Sequence, residues 1–135
     1  MRIDVKMPNK YYVAFSFGGT HVNSDMVVFK ADGSDSKFYD MFSKGYGEPE
    51  LDSVSHYTGT ASYSSAADTV HFHINRYLNT NSPQDYVVKT DWPNRIGWAV
   101  REYDSDEGKG DATTWEGRIG MHHKVGYFNL ILWSN

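Results

Sequence analysis

The chain has 135 residues, 13 Lys and Arg against 17 Asp and Glu, a formal charge of −4 and no cysteine. Disulfides, thiolate metal sites, a thiol nucleophile and covalent c-type haem attachment are thereby excluded. The acidic balance, with acids crowded into Asp104 to Asp111, argues against a nucleic-acid surface. A chain of this length reads as a single domain over residues 1–135, large enough to bury a core without a metal to hold it folded. Its apolar runs are too short for a membrane span, and Met1 to Lys10 lacks the apolar centre of a signal peptide. Aromatic residues make up 16% of the chain, ten Tyr, seven Phe and four Trp, a composition suited to pleated, half-buried strands.

Taken in order, Arg2 to Met7 alternates Ile3, Val5 and Met7 with charged residues, the period of a half-buried strand, and Pro8-Asn9 ends it. Tyr11 to Phe17 sets Tyr11, Val13, Phe15 and Phe17 on one face and Tyr12, Ala14 and Ser16 on the other, before Gly18-Gly19 breaks the run. This segment reads as a central strand. A polar bend holding His21 leads to Met26 to Lys30, apolar throughout to Phe29, as expected where both faces are covered. Asp32-Gly33 is a tight-turn signal, so Lys37 to Phe42 should be the partner in a hairpin.

Gly45 to Pro49 is a loop by composition, and Ser53 to Ser64 is a polar strand near an edge. Thr69 to Arg76 points Val70, Phe72 and Ile74 one way and His71, His73 and Asn75 the other. Leu78 to Gln84 is a loop, followed by Asp85 to Val88. Arg95 to Tyr103 places Ile96, Trp98 and Val100 on one face, and Asp104 to Thr114 is a candidate mobile loop. Gly120 to Lys124 is a second His-bearing loop, and Tyr127 to Trp133 reads as a buried closing strand. About nine short antiparallel strands, separated by turn chemistry and without a helical stripe, predict an all-β, immunoglobulin-like sandwich.

Phosphate-cradling Gly loops, the nucleophile elbow and the zincin motif are all missing, so no ordinary hydrolytic site is written in the sequence. Histidine carries more. His71 and His73 share a strand face at a spacing that can chelate a divalent metal, although two histidines on a solvated strand face is the favoured reading. His56 has no assigned role. His21 and the His122-His123 pair lie in loops flanking apolar strands, where a sandwich presents its binding groups. Singly each would be a surface histidine; together they can supply two axial nitrogens to a haem, in a slot lined by Phe15, Phe17, Met26, Val28, Trp98 and Phe128. As core residues these neighbours also need no haem to explain them.

In order along residues 10 to 132, YYVAFSFGG, SDMVVF, DGSDSKFYDMF, VHFHINRYLNTNSPQDYVV, IGWAV and HHKVGYFNL resemble the successive segments of the DOMON domain family. That resemblance implies a sandwich that binds haem b or, in some members, sugars, and that is commonly extracytoplasmic. In the haem-binding members an axial Met lies shortly before the Ser-Asp pair and an axial His in the last loop. Here the Met position falls on His21 and the His on His122, with His123 as its alternative and Met26 as a substitute for His21. Two histidines in place of Met and His imply a lower reduction potential. The resemblance also has Asp85 open a strand, and Arg76, on an apolar strand face, needs an acceptor such as Asp85.

The expectation is a non-enzymatic b-type cytochrome domain passing electrons to a redox protein or larger assembly, because two filled axial positions leave none open for oxygen. The alternative is a carbohydrate-binding or structural module, with Tyr46, Tyr57, Trp92 or Trp115 stacking on sugar rings.

Overall fold

The computed structural model describes residues 1–19, 21–102 and 124–134. Nine strands form among them: β1 (Arg2–Pro8), β2 (Tyr11–Phe17), β3 (Ser24–Lys30), β4 (Lys37–Ser43), β5 (Glu50–Leu51), β6 (Tyr57–Ser64), β7 (Thr69–Arg76), β8 (Asn94–Glu102) and β9 (Lys124–Leu130). They make a three-stranded sheet in the order β1-β7-β6 and a six-stranded sheet in the order β5-β4-β3-β2-β8-β9. Every strand pairing is antiparallel. The β-sandwich expected from the strand pattern is therefore the fold observed.

Period-2 alternation decides what each sheet turns inward. From β7, Val70, Phe72 and Ile74 enter the core, facing Val27 and Phe29 of β3, Phe17 of β2 and Ile96 of β8. The Phe29 and Phe72 rings meet edge to face, with centroids 5.2 Å apart, and join the two sheets. A second, smaller apolar cluster lies on the other face of the large sheet: Met26 and Val28 of β3 with Tyr39 and Met41 of β4. β3 is buried along its whole length, as its unbroken apolar run predicted.

Two segments depart from expectation. Asp85 to Val88 is not a strand; between β7 and β8 a single bridge, Thr90 to Leu132, is the only ladder contact among the described residues. Here the polar groups are satisfied locally, with Val88 N–H donating to Leu78 O at 2.9 Å and Tyr86 N–H to the Asp25 carboxylate at 2.8 Å. The closing strand runs from Lys124 to Leu130 rather than from Tyr127 to Trp133, and it is not buried: Tyr127 is 57% and Phe128 44% exposed. Among the described residues it is the outermost strand of its sheet, with β8 as its one neighbour, and a continuous apolar run does not distinguish an edge from a centre.

One ion pair is buried at the end of the core. The Arg76 Nη2 lies 2.8 Å from Asp25 Oδ2, with both side chains almost fully inaccessible. The same nitrogen donates to Tyr86 O at 2.8 Å, Nη1 donates to the Tyr57 hydroxyl at 3.2 Å, and the guanidinium lies 5.1 Å from the Phe17 ring centre. The acceptor that Arg76 needed is thus chiefly Asp25, with Asp85 farther off at 3.8 Å. Burial nevertheless outweighs the guanidinium and pushes Asp25 up to about 6.

An acid raised above its unfolded pKa stabilises the fold when protonated, and that contribution is lost as pH rises from about 4 through about 6. Removing one partner of a buried pair costs about 3–5 kcal/mol when the other stays charged. Arg76→Met is therefore expected to lower unfolding free energy by about that much at pH 8 in EDTA, and by clearly less at pH 5, where Asp25 takes up a proton. Urea melts at the two pH values check this; a loss independent of pH would show that Asp25 is not the charge Arg76 compensates.

Candidate functional site

The outward faces of β2, β3 and β8 carry small or apolar residues where they meet. Tyr12, Ala14 and Ser16 of β2 lie beside Met26 and Val28 of β3 and beside Gly97 and Ala99 of β8. This floor opens into a cavity of about 540 Å³. Its walls are His21 on one loop, Tyr46 to Pro49 on another, and Val125 and Tyr127 of the edge strand. The floor is low because the side chains that point outward there are small; at Gly97 a Cβ would sit 2.4 Å from the Ser16 hydroxyl.

His21 reaches the cavity because the chain turns sharply after β2, through Gly18 at φ +92° and Gly19 at φ +71°. Its Nδ1 lies 2.7 Å from Gly45 O and 3.0 Å from the Ser43 hydroxyl. A carbonyl only accepts, so Nδ1 carries the proton and the lone pair is left on Nε2. The Tyr46 ring stacks on the imidazole, with centroids 6.1 Å apart. Backbone and ring together fix both the tautomer and the orientation of a side chain that faces the cavity, the arrangement in which histidine ligates a metal.

The residues singled out in the sequence separate by face. His21 and Met26 line the cavity, whereas Trp98 only borders it, its register beside Phe15 turning it to the face of Ile96. Phe17 is buried in the inter-sheet core, and Phe128 turns the same way, meeting Phe15 edge to face at 6.3 Å. Trp98 lies flat against Gly126, where a Cβ would come within 2.6 Å of the indole, so this close approach requires glycine. His122, His123, Trp115 and the acidic loop lie outside the described residues. Of the aromatics suited to sugar stacking, Tyr46 and Trp92 are exposed, whereas Tyr57 is 4% exposed beneath Arg76 and cannot stack on a ligand.

Sequence reasoning missed a second polar centre. Asp40 on β4, His56 before β6 and Asp85 bring three ligand atoms within 4.8 Å of one another. No motif spacing announces it, since the three come from separate segments; its signal was an Asp in the middle of an apolar strand, KFYDMF. His71 and His73 do share a solvent-facing patch, with Asp4 opposite, where His73 and Asp4 are in direct contact and Arg2 lies beside both.

The fold is similar to two solved structures. The cytochrome b domain of pyranose dehydrogenase from Coprinopsis cinerea matches with a TM-score of 0.69 at 16% identity, covering 94% of this chain and 65% of that one. The cytochrome domain of cellobiose dehydrogenase from Myriococcum thermophilum matches with a TM-score of 0.68 at 12% identity, covering 97% and 64%. This chain thus spans less than two thirds of either. A comparison with curated protein sequences found no match. The family model for the DOMON domain matches residues 1–101, and the chain belongs to the DOMON domain family.

Proposed function

We propose that this domain binds haem b non-covalently in the outer-face cavity and serves in electron transfer, with His21 as one axial ligand and His122 as the other. The observation that carries the reading is the geometry of His21 at the cavity wall, whose Nδ1 is tied to Gly45 O and whose Nε2 has no hydrogen-bond partner among the described residues. Membership of a family whose fold is shared with cytochrome b domains supports it. The residues present fit the group. A low floor of Ala14, Ser16, Gly97 and Ala99 suits a flat ligand, and Met26, Val28 and Val125 offer apolar contact.

His122 lies two residues before Lys124, where β9 begins, and β9 supplies the opposite wall. His123 is its alternative, and the Met26 thioether is the alternative to His21. Bound haem supplies one-electron redox chemistry, at a potential lower for two imidazoles than for imidazole with thioether. The protein's part is to hold His21 in one tautomer, exclude water with the Tyr46 and Tyr127 rings, and present the cavity mouth to a partner. That partner is a redox protein, for which the dehydrogenases of the two similar structures provide the chemical class. The domain itself catalyses no substrate reaction, and an extracytoplasmic location accords with the family. Among the described residues no helix is long and apolar enough to cross a membrane.

Titrating purified protein with haemin is expected to give a sharp Soret band and, with dithionite, narrow six-coordinate reduced bands. His21→Ala should remove the six-coordinate spectrum, and His122→Ala and His123→Ala decide which of that pair ligates. Protein that stays without a Soret shift would sink the cytochrome reading and leave sugar binding, through Tyr46 and Trp92, to be tested.

Ala14→Phe offers an independent check on where the ligand sits. It raises the cavity floor without entering the inter-sheet core, so folding by circular dichroism should be retained while haemin affinity falls at least about tenfold. Unchanged affinity would place the ligand elsewhere.

A further inference from the structure

Among the described residues the inner face of the large sheet holds more buried acid than Arg76 and His56 balance. Asp40 faces inward beside Val27. Its side chain is 1% exposed, that of Asp85 4%, and that of His56 26%. His56 Nδ1 lies 2.9 Å from Asp85 Oδ2, out of line for a hydrogen bond, and 3.7 Å from Asp40 Oδ2. The carboxyl of Asp52 meets that of Asp40. Among the described residues no donor reaches Asp40 Oδ1.

The charges do not close. Asp25 is matched by Arg76, which stands 3.8 Å from Asp85 but is already committed. Asp40, Asp52 and Asp85 then face one imidazole. Two buried carboxylates with the half-buried Asp52 against them must either hold protons or take a cation. Burial and the neighbouring acids do push Asp40 up to about 7 and raise Asp52, which is what the site does when no cation is present.

The donors are already arranged as a ligand set. The Thr80 hydroxyl donates to Asp85 Oδ2 at 2.6 Å and the His56 backbone N–H to Asp40 Oδ2 at 2.7 Å, so hydrogen bonds from outside the ligand atoms orient both carboxylates. The separations of 2.9 and 3.7 Å bracket the edge of about 3.4 Å that bonds of about 2.1 Å make around a tetrahedral ion. A cavity of about 1040 Å³, bordered by Asp40, Asp52, Ser53 and Ser55, gives access from solvent.

We propose that Asp40, His56 and Asp85, with Asp52 beside them, form a binding site for one divalent transition-metal ion of the Zn²⁺ class. The imidazole nitrogen favours such an ion over Ca²⁺, which prefers oxygen donors alone. The site stands apart from the outer-face cavity and does not depend on haem.

The test uses protein carrying His71→Ala and His73→Ala, which removes the surface His pair as a competing zinc site. After EDTA treatment and dialysis, Zn²⁺ at pH 7.5 should bind one ion per chain by calorimetry and raise the melting temperature by several degrees, with Ca²⁺ giving a much smaller shift. Asp40→Asn removes a buried charge while keeping the side-chain shape, so it should fold at least as stably without metal and bind Zn²⁺ at least tenfold more weakly. His56→Ala should lose affinity likewise, whereas His21→Ala should not. Absence of saturable binding in the surface-His variant, or binding that survives both Asp40→Asn and His56→Ala, would overturn the proposal.

Discussion

β3 is enclosed on both faces and by a strand on either side, and its register settles which residues see the core and which see the outer cavity. Val27 and Phe29 turn inward with Asp25, while Met26 and Val28 turn outward. Slipping β3 by one residue against β2 and β4 would exchange these sets, exposing Phe29 to the cavity and placing Asp25 where no guanidinium reaches it. The pairings Val27 to Phe15 and Val27 to Asp40 hold that register from both sides. The hydrophobic gain of Val27 and Phe29, both fully buried, is what makes the alternative costly.

That register also forces polar groups into the interior. Once Val27 and Phe29 point inward, Asp25 and Asp40 must do so too, because each lies on the same face of its strand. The fold accommodates Asp25 with Arg76, which reaches it from the last residue of β7, and the aromatic rings of Phe17 and Tyr57 sheath the guanidinium. A buried pair of this kind adds little net stability relative to apolar residues of the same shape, but it penalises any arrangement that leaves one partner alone. The polar end of the core therefore constrains how β7 and the segment after it dock on the large sheet.

Much of this was legible in the chain. The alternation in Tyr11 to Phe17 and Thr69 to Arg76 identified their core faces correctly, and Asp32-Gly33 marked the β3–β4 hairpin. What failed was information that local pattern does not carry. The run YFNLILW could not reveal that, among the described residues, its strand has a neighbour on one side only. Asp85 to Val88 looked like a strand because the sequence does not show that Tyr86 N–H is taken by Asp25. In the same way Phe17 and Phe128 shared an apolar character with Met26 but not its face, which depends on strand pairing rather than composition. His21 was legible as a loop histidine; its fixed tautomer required Ser43 and Gly45 to be placed beside it.

The two cavities lie on opposite faces of one sheet, yet they share a wall. Glu48 and Pro49 border both. On one side of these two residues Tyr46 stacks on His21, and on the other Asp52 donates its N–H to Asp40 O at 3.0 Å. Proline fixes its own φ and restricts the residue before it, so the shared wall is the stiffest part of an otherwise glycine-containing loop. The short β5 pins the same loop to β4 through Leu51 and Glu50. One side chain set thus follows the outward face of β4 and the other its inward face, and the segment from Gly45 to Asp52 is the physical link through which the position of His21 is tied to that of the buried acids.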